Sequence, residues 1–182
     1  MKYWTICWTI VLKLVLGVSV CLGTEKNAGI EIKVVRVFST KKSGYYHKPW
    51  KSPNFTDVRG SGFFFKDDKN FPGMTGLILT NAHTVSLAES IKVSNGREKR
   101  RYTVTCLGIC DSADFAVLRM APEEFEIYER RNGRVQPMEL GDSDALRVGD
   151  KVMGWGYPLG GEGISKSEEG EINRIEVNRY DY

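Results

Sequence analysis

Leu77-Ile78-Leu79-Thr80-Asn81-Ala82-His83 carries a short apolar run into a histidine, and Asp111-Ser112-Ala113-Asp114-Phe115-Ala116-Val117-Leu118 opens another from an acid. Both runs are too short for an ordinary helix and are bounded by turn-forming residues, which is how buried strands read. Similar stretches lie on either side. Residues 30–38 alternate at first, with Ile30, Ile32 and Val34 on one face, and then turn apolar on both. Gly60-Ser61-Gly62 leads into Phe63-Phe64-Phe65, and residues 90–94 and 102–108 read as two more strands. With residues 76–80 and 114–120 these make six, enough to close one small antiparallel barrel filled by its own side chains. Residues 41–59, polar and aromatic with Pro49 and Pro53, read as a surface loop. Residues 122–134 read as a charged connector with one helical turn near Glu123–Tyr128.

A second unit is expected from about residue 135, giving the divisions 1–23, 24–134 and 135–182. It supplies about two recognisable strands, residues 151–156 and 170–177, around the glycine-rich bend Gly160-Gly161-Glu162-Gly163. Such a half-built sheet would leave Val152, Trp155, Ile172 and Ile175 uncovered. The bend lacks the Lys-Ser/Thr of a phosphate loop and the spacing of a dinucleotide fingerprint, so it reads as a connection between strands.

Residues 1–23 stand apart: Lys2, then an apolar stretch from Tyr3 to Leu22 interrupted by Lys13, then Gly23 before the polar Thr24-Glu25-Lys26. This is the layout of a secretory signal peptide, which sends the chain into the secretory pathway, outward or to an organelle reached that way. An uncleaved anchor or an organelle leader are the alternatives, and a membrane partner enters only if the leader is retained. Removing it takes away two lysines and no acids, so the net charge of +3 becomes +1. A nearly neutral chain with 41% hydrophobic and 11% aromatic residues is globular and gives no reason to expect nucleic acid as partner. The one basic run, Arg97-Glu98-Lys99-Arg100-Arg101, reads as a solvated hairpin tip or, less simply, a polyanion patch.

Cys7 and Cys21 lie in the leader, leaving Cys106 and Cys110. On one strand their Cα atoms would be ~13 Å apart, beyond the reach of a disulfide unless the chain turns between them, so they read as small buried hydrophobes. His47 and His83 are the only histidines, no metal-ligand spacing is present, and neither metal nor cofactor is expected. Asn54-Phe55-Thr56 is a glycosylation acceptor on a secreted chain, which makes Asn54 a modification candidate.

The chemistry is expected at His83 and Asp114. A histidine that takes up a proton on one ring nitrogen needs a buried carboxylate on the other, to fix its tautomer and steady the imidazolium. Asp111 is the nearby alternative acid, but Asp114 directly precedes the apolar run.

Five blocks occur in order: Gly60-Ser61-Gly62-Phe63; Leu79-Thr80-Asn81-Ala82-His83-Thr84-Val85; Asp114-Phe115-Ala116-Val117-Leu118; Leu140-Gly141-Asp142-Ser143-Asp144 through Val148-Gly149-Asp150; and Gly156-Tyr157-Pro158-Leu159-Gly160-Gly161. Together they resemble the HtrA/Deg family of serine endopeptidases from about Val34 to Tyr182. Gly170-Glu171-Ile172-Asn173-Arg174-Ile175-Glu176 adds a flavour of the plant and protist members.

The resemblance implies an all-β, chymotrypsin-like double barrel, with the first barrel complete and the second incomplete within these residues. It implies His83 as general base and Asp114 as its orienting carboxylate, unfolded or damaged polypeptides as substrates, and a trimer as a common assembly. Thr84 after His83, where secretory trypsins carry cysteine, favours this branch. The family's nucleophile stands in a Gly-Asn-Ser-Gly-Gly segment that the 182 residues do not contain. Ser165 and Ser167 are poor substitutes, since Gly163-Ile164-Ser165-Lys166 lacks the following glycine and precedes the strand. The expectation is therefore a protease domain inactive as it stands, with a non-catalytic binding or chaperone-like module as the alternative.

Overall fold

The computed structural model describes residues 29–43, 47, 50, 52–158, 164–166 and 170–175. The expected leader, most of the 44–51 connection, the glycine bend and residues 176–182 lie outside them.

Six strands form the ring: β1 (Val34–Ser43), β2 (Asn54–Lys66), β3 (Leu77–Thr80), β4 (Ala88–Ser94), β5 (Tyr102–Cys110) and β6 (Phe115–Met120). Their order is β1-β4-β5-β6-β3-β2, and β2 pairs again with β1, so the sheet closes. All six pairings are antiparallel. A closed ring removes the bare edges that invite pairing with other chains. Inside it Val35, Val37, Phe64, Ile78, Val93, Leu118 and Met120 pack together, each almost fully buried.

Two elements exceed what the sequence suggests. The supposed 41–59 loop is largely strand, because β1 and β2 form one hairpin paired from Val34↔Phe63 to Ser43↔Asn54. Its outer half projects beyond the core and is mostly exposed from Asn54 to Asp57, so no apolar alternation marks it. The connector at 122–134 holds α3, an 11-residue helix, Pro122–Asn132 (α1 is Ile30–Lys33 and α2 is Ala82–Val85). Pro122 opens α3, Glu123 and Glu124 occupy its first turn and Arg130 and Arg131 its last, as the helix dipole favours. Gly133, at φ 100°, ends it. Phe125 and Tyr128 alone are buried along α3, three positions apart on one face. Cys106 and Cys110 also depart from expectation. They are not joined by a disulfide and are only half-buried, near the irregularity that displaces β5 between Cys106 and Gly108.

Tyr128 joins the helix to the start of the chain. Its ring packs edge-on against Phe64 and Tyr102, centroids 5.1 and 5.2 Å away. Its hydroxyl donates to the Ile32 carbonyl at 2.8 Å and accepts from Asn95 Nδ2 at 3.1 Å, while the same amide donates to the Glu31 carbonyl at 3.1 Å. The basic run sits at the β4–β5 turn as expected, yet it is not simply solvated: Arg97 pairs with Glu31, and Arg100 lies 3.5 Å from Glu124.

Glu98 in that run accepts from Tyr102 Oη (2.6 Å), Asn132 Nδ2 (2.8 Å) and Arg131 Nε (2.8 Å). Burial alone would push its carboxyl up, but the three hydrogen bonds outweigh burial and hold it below the usual carboxylate range. The folded value lies below the unfolded one of about 4.3, so the stability it confers is present above that pH and is lost as pH falls through the folded value. Glu98→Gln is therefore expected to flatten the acid limb of a plot of Tm against pH. An acid limb that overlays that of the native chain would refute this.

Beyond the helix, β7 (Met138–Glu139) adds to β2 in parallel. Two short ribbons follow, β8 (Lys151–Val152) with β11 (Gly170–Glu171) and β9 (Trp155–Gly156) with β10 (Ser165–Lys166). The expected strand at 151–156 is thus two separate pieces, and that at 170–177 is strand only at Gly170–Glu171 among the described residues. Residues 153–154 and 172–175 belong to neither strand nor helix and interrupt them. Val152, Trp155 and Ile172 are half-buried, and Ile175 is exposed.

Candidate active site

His83 sits in the single turn of α2, directly after β3, and Asp114 sits directly before β6. These strands are neighbours, with Thr80 paired to Ala116, so the barrel brings the two residues together across 31 positions of sequence. Asp114 is delivered by its backbone. The 3-10 turn Asp111–Ala113 leaves it at φ 47°, ψ 44°, a left-handed conformation that aspartate tolerates better than most residues.

The carboxylate of Asp114 is fully engaged. Oδ2 lies 2.7 Å from His83 Nδ1, Oδ1 accepts the His83 backbone N–H at 2.9 Å, and Asn81 Nδ2 donates to Oδ2 at 3.1 Å. An ionised carboxylate only accepts, so Nδ1 carries the ring proton and Nε2 keeps its lone pair. The Asp114 side chain is 13% exposed and that of His83 58% exposed, which hides the acid and presents the base. Asp111, the alternative acid, instead accepts from Ser86 Oγ at 3.3 Å.

The turn that carries His83 is held from behind. Lys41 Nζ donates to the His83 carbonyl at 2.7 Å, and Ser39 Oγ donates to the Thr84 carbonyl. Buried Thr84 packs against Gly60, where an added Cβ would come within 2.8 Å of its side chain, so that position needs glycine. Sequence reasoning quoted Gly60 and Asn81 without giving them these tasks and missed Ser39 and Lys41 altogether. The Gly-Ser-Gly spacing was the available clue to Gly60; nothing local marks Lys41. Ser61 ties in the rest of the chain, its hydroxyl accepting the Tyr157 N–H at 2.8 Å.

Among the described residues no serine hydroxyl is hydrogen-bonded to the His83 ring. Ser167 and the Ser165 side chain lie outside that set. Asn54 is exposed at the start of β2.

Residues 60–182 match the model of the trypsin-like peptidase domain. The chain belongs to this family. Within it the peptidase domain is of the HtrA/Deg kind. It is 33% identical over 147 residues to "Protease Do-like 2, chloroplastic" of Arabidopsis thaliana, covering 81% of this chain and 21% of that protein. It is 31% identical over 147 residues to "Protease Do-like 4, mitochondrial" of the same plant, covering 81% of this chain and 25% of that protein. The chain thus spans a quarter or less of the length of these relatives. Among solved structures, "HtrA-type protease AlgW with decapeptide" matches at TM-score 0.55 and 22% identity, covering 81% of this chain and 44% of that one. That likeness supports the barrel fold of the trypsin-like peptidase domain.

Proposed function

We propose that this chain supplies the base and the orienting acid of an HtrA/Deg-type serine endopeptidase acting on unfolded or damaged polypeptides. The 2.7 Å contact between His83 Nδ1 and a carboxylate that also anchors the His83 backbone carries the reading. In this reading His83 takes the proton from an attacking serine at Nε2 and returns it to the leaving amine, while Asp114 holds the ring and steadies its charged form. The serine and the N–H groups that would receive the oxyanion belong to the Gly-Asn-Ser-Gly-Gly segment of the family pattern. A leader routes the protein outward or to an organelle, and a trimer is the assembly that the family resemblance suggests.

A polypeptide of these 182 residues alone is expected to leave a fluorophosphonate probe unreacted and to hydrolyse casein no faster than buffer does. Joined to a downstream segment carrying the family's serine, it is expected to label, and His83→Ala to abolish labelling. Labelling or casein hydrolysis by the 182-residue polypeptide, lost on His83→Ala, would show a working nucleophile within it. Labelling of the joined form that survives His83→Ala would remove His83 as base.

A further inference from the structure

Away from the His83–Asp114 pair, a cluster of basic side chains lies on the outer face of β1. The strand registers set Phe38 directly between Arg59 on β2 and Lys92 on β4, so the three side chains share a face. The Arg101 guanidinium lies 4.0 Å from the centre of the Phe38 ring and that of Arg36 4.8 Å from it. Two guanidinium groups therefore lie against one aromatic ring, whose faces offset part of their mutual repulsion, and Arg59 and Lys92 flank that ring on the neighbouring strands. Two acids share this face: Asp57, between Arg59 and Phe55 along β2, accepts from Thr40 Oγ1 at 2.9 Å, and Glu89 faces Lys42 at 3.8 Å, so the five basic side chains outnumber the acids. Further along the same face Lys42 stands opposite Phe55, which is 60% exposed.

An acidic polypeptide would account for the cations and leave Phe55 without a role. A lipid headgroup layer suits both, since its phosphates meet the guanidinium groups while an aromatic ring settles at the interface. The path of the chain favours the same partner. The apolar stretch ends at Leu22, sixteen residues before Phe38, a span of at most ~55 Å of extended chain. With the leader retained and in a bilayer, β1 is held within reach of that surface. We infer that the outer face of β1, with Arg36, Arg59, Lys92 and Arg101 around Phe38 and Phe55 at its end, docks the barrel onto an anionic lipid bilayer.

The test is co-sedimentation of the full 182-residue chain with phosphatidylcholine vesicles, with or without phosphatidylserine at about a third of the lipid. The expected result is a preference of about tenfold or more for the anionic vesicles, falling as salt is raised. The leader carries Lys2 and Lys13 and itself favours anionic vesicles, so the share that belongs to β1 is the part removed by substitution on the barrel. Arg59→Glu combined with Lys92→Glu lowers the preference about fivefold or more while Tm is unchanged, and Arg59→Gln with Lys92→Gln serves if the charge reversal fails to fold. Equal binding to both vesicles would overturn the inference, as would a preference that these substitutions leave undiminished. Binding to polyglutamate without binding to vesicles would overturn it in favour of an acidic polypeptide.

Discussion

Asp114→Asn is expected to lower kcat about 10⁴-fold in any form of the protein that carries the family's reactive serine, with KM little altered. The cause lies in which atoms donate. Asp114 accepts three hydrogen bonds, from the His83 ring, the His83 backbone N–H and the Asn81 amide. An asparagine keeps one accepting oxygen, and the backbone N–H is the fixed claimant for it. Its NH₂ group then faces Nδ1, and two donors cannot bond. The imidazole answers by moving its proton to Nε2, the nitrogen that the proposed mechanism needs bare to receive one from serine. The shape survives while the tautomer is wrong. Steady-state kinetics on an unfolded polypeptide measures the loss, and a downfield Nδ1 proton resonance, present in the native chain and absent from the variant, reports the cause. A variant that keeps more than a tenth of the native rate would show that this carboxylate does not set the tautomer.

Tyr128→Ala has the largest expected effect on stability. Truncating a large aromatic side chain in a packed interior costs about 3–5 kcal/mol, and a domain of this kind holds only about 5–15 in total. Here the ring is shared between Phe64 and Tyr102, so its removal opens space beside both. The hydroxyl goes too, depriving the Ile32 carbonyl of its donor and Asn95 Nδ2 of an acceptor. Tyr128→Phe separates the contributions, since it keeps the packing and loses only the polar links, at about 1–3 kcal/mol. Urea titration should rank native above Tyr128→Phe above Tyr128→Ala. An alanine variant within about 1 kcal/mol of native would mean that the helix is not part of the cooperative unit.

The six strands were legible because a ring filled by its own side chains demands short apolar runs between turns, and residues 76–80 and 114–120 state that demand plainly. Pairing His83 with Asp114 was legible for a related reason, since each abuts a buried run. The outer half of the β1–β2 hairpin was not, because Asn54 to Asp57 extend past the core and their side chains face water on both sides. Pairing there is written in backbone hydrogen bonds, which any sequence without proline can make. Helix α3 was half legible: its charges follow the dipole, but two buried residues are too few to show a period of 3.6 over eleven positions. Lys41 escaped notice because its contact with the His83 carbonyl spans 42 residues and involves a backbone atom, which leaves no trace in residue type.

The carbonyls of Ile32 and Val34 take their hydroxyl donors from Tyr128 and Tyr157, which follow them by 96 and 123 residues. On a ribosome adding about 5–20 residues per second, those partners emerge roughly 5–25 s after the segment they hold. The side-chain links that hold the residues leading into β1 are thus among the last to form, although β1 itself can pair with β2 much sooner.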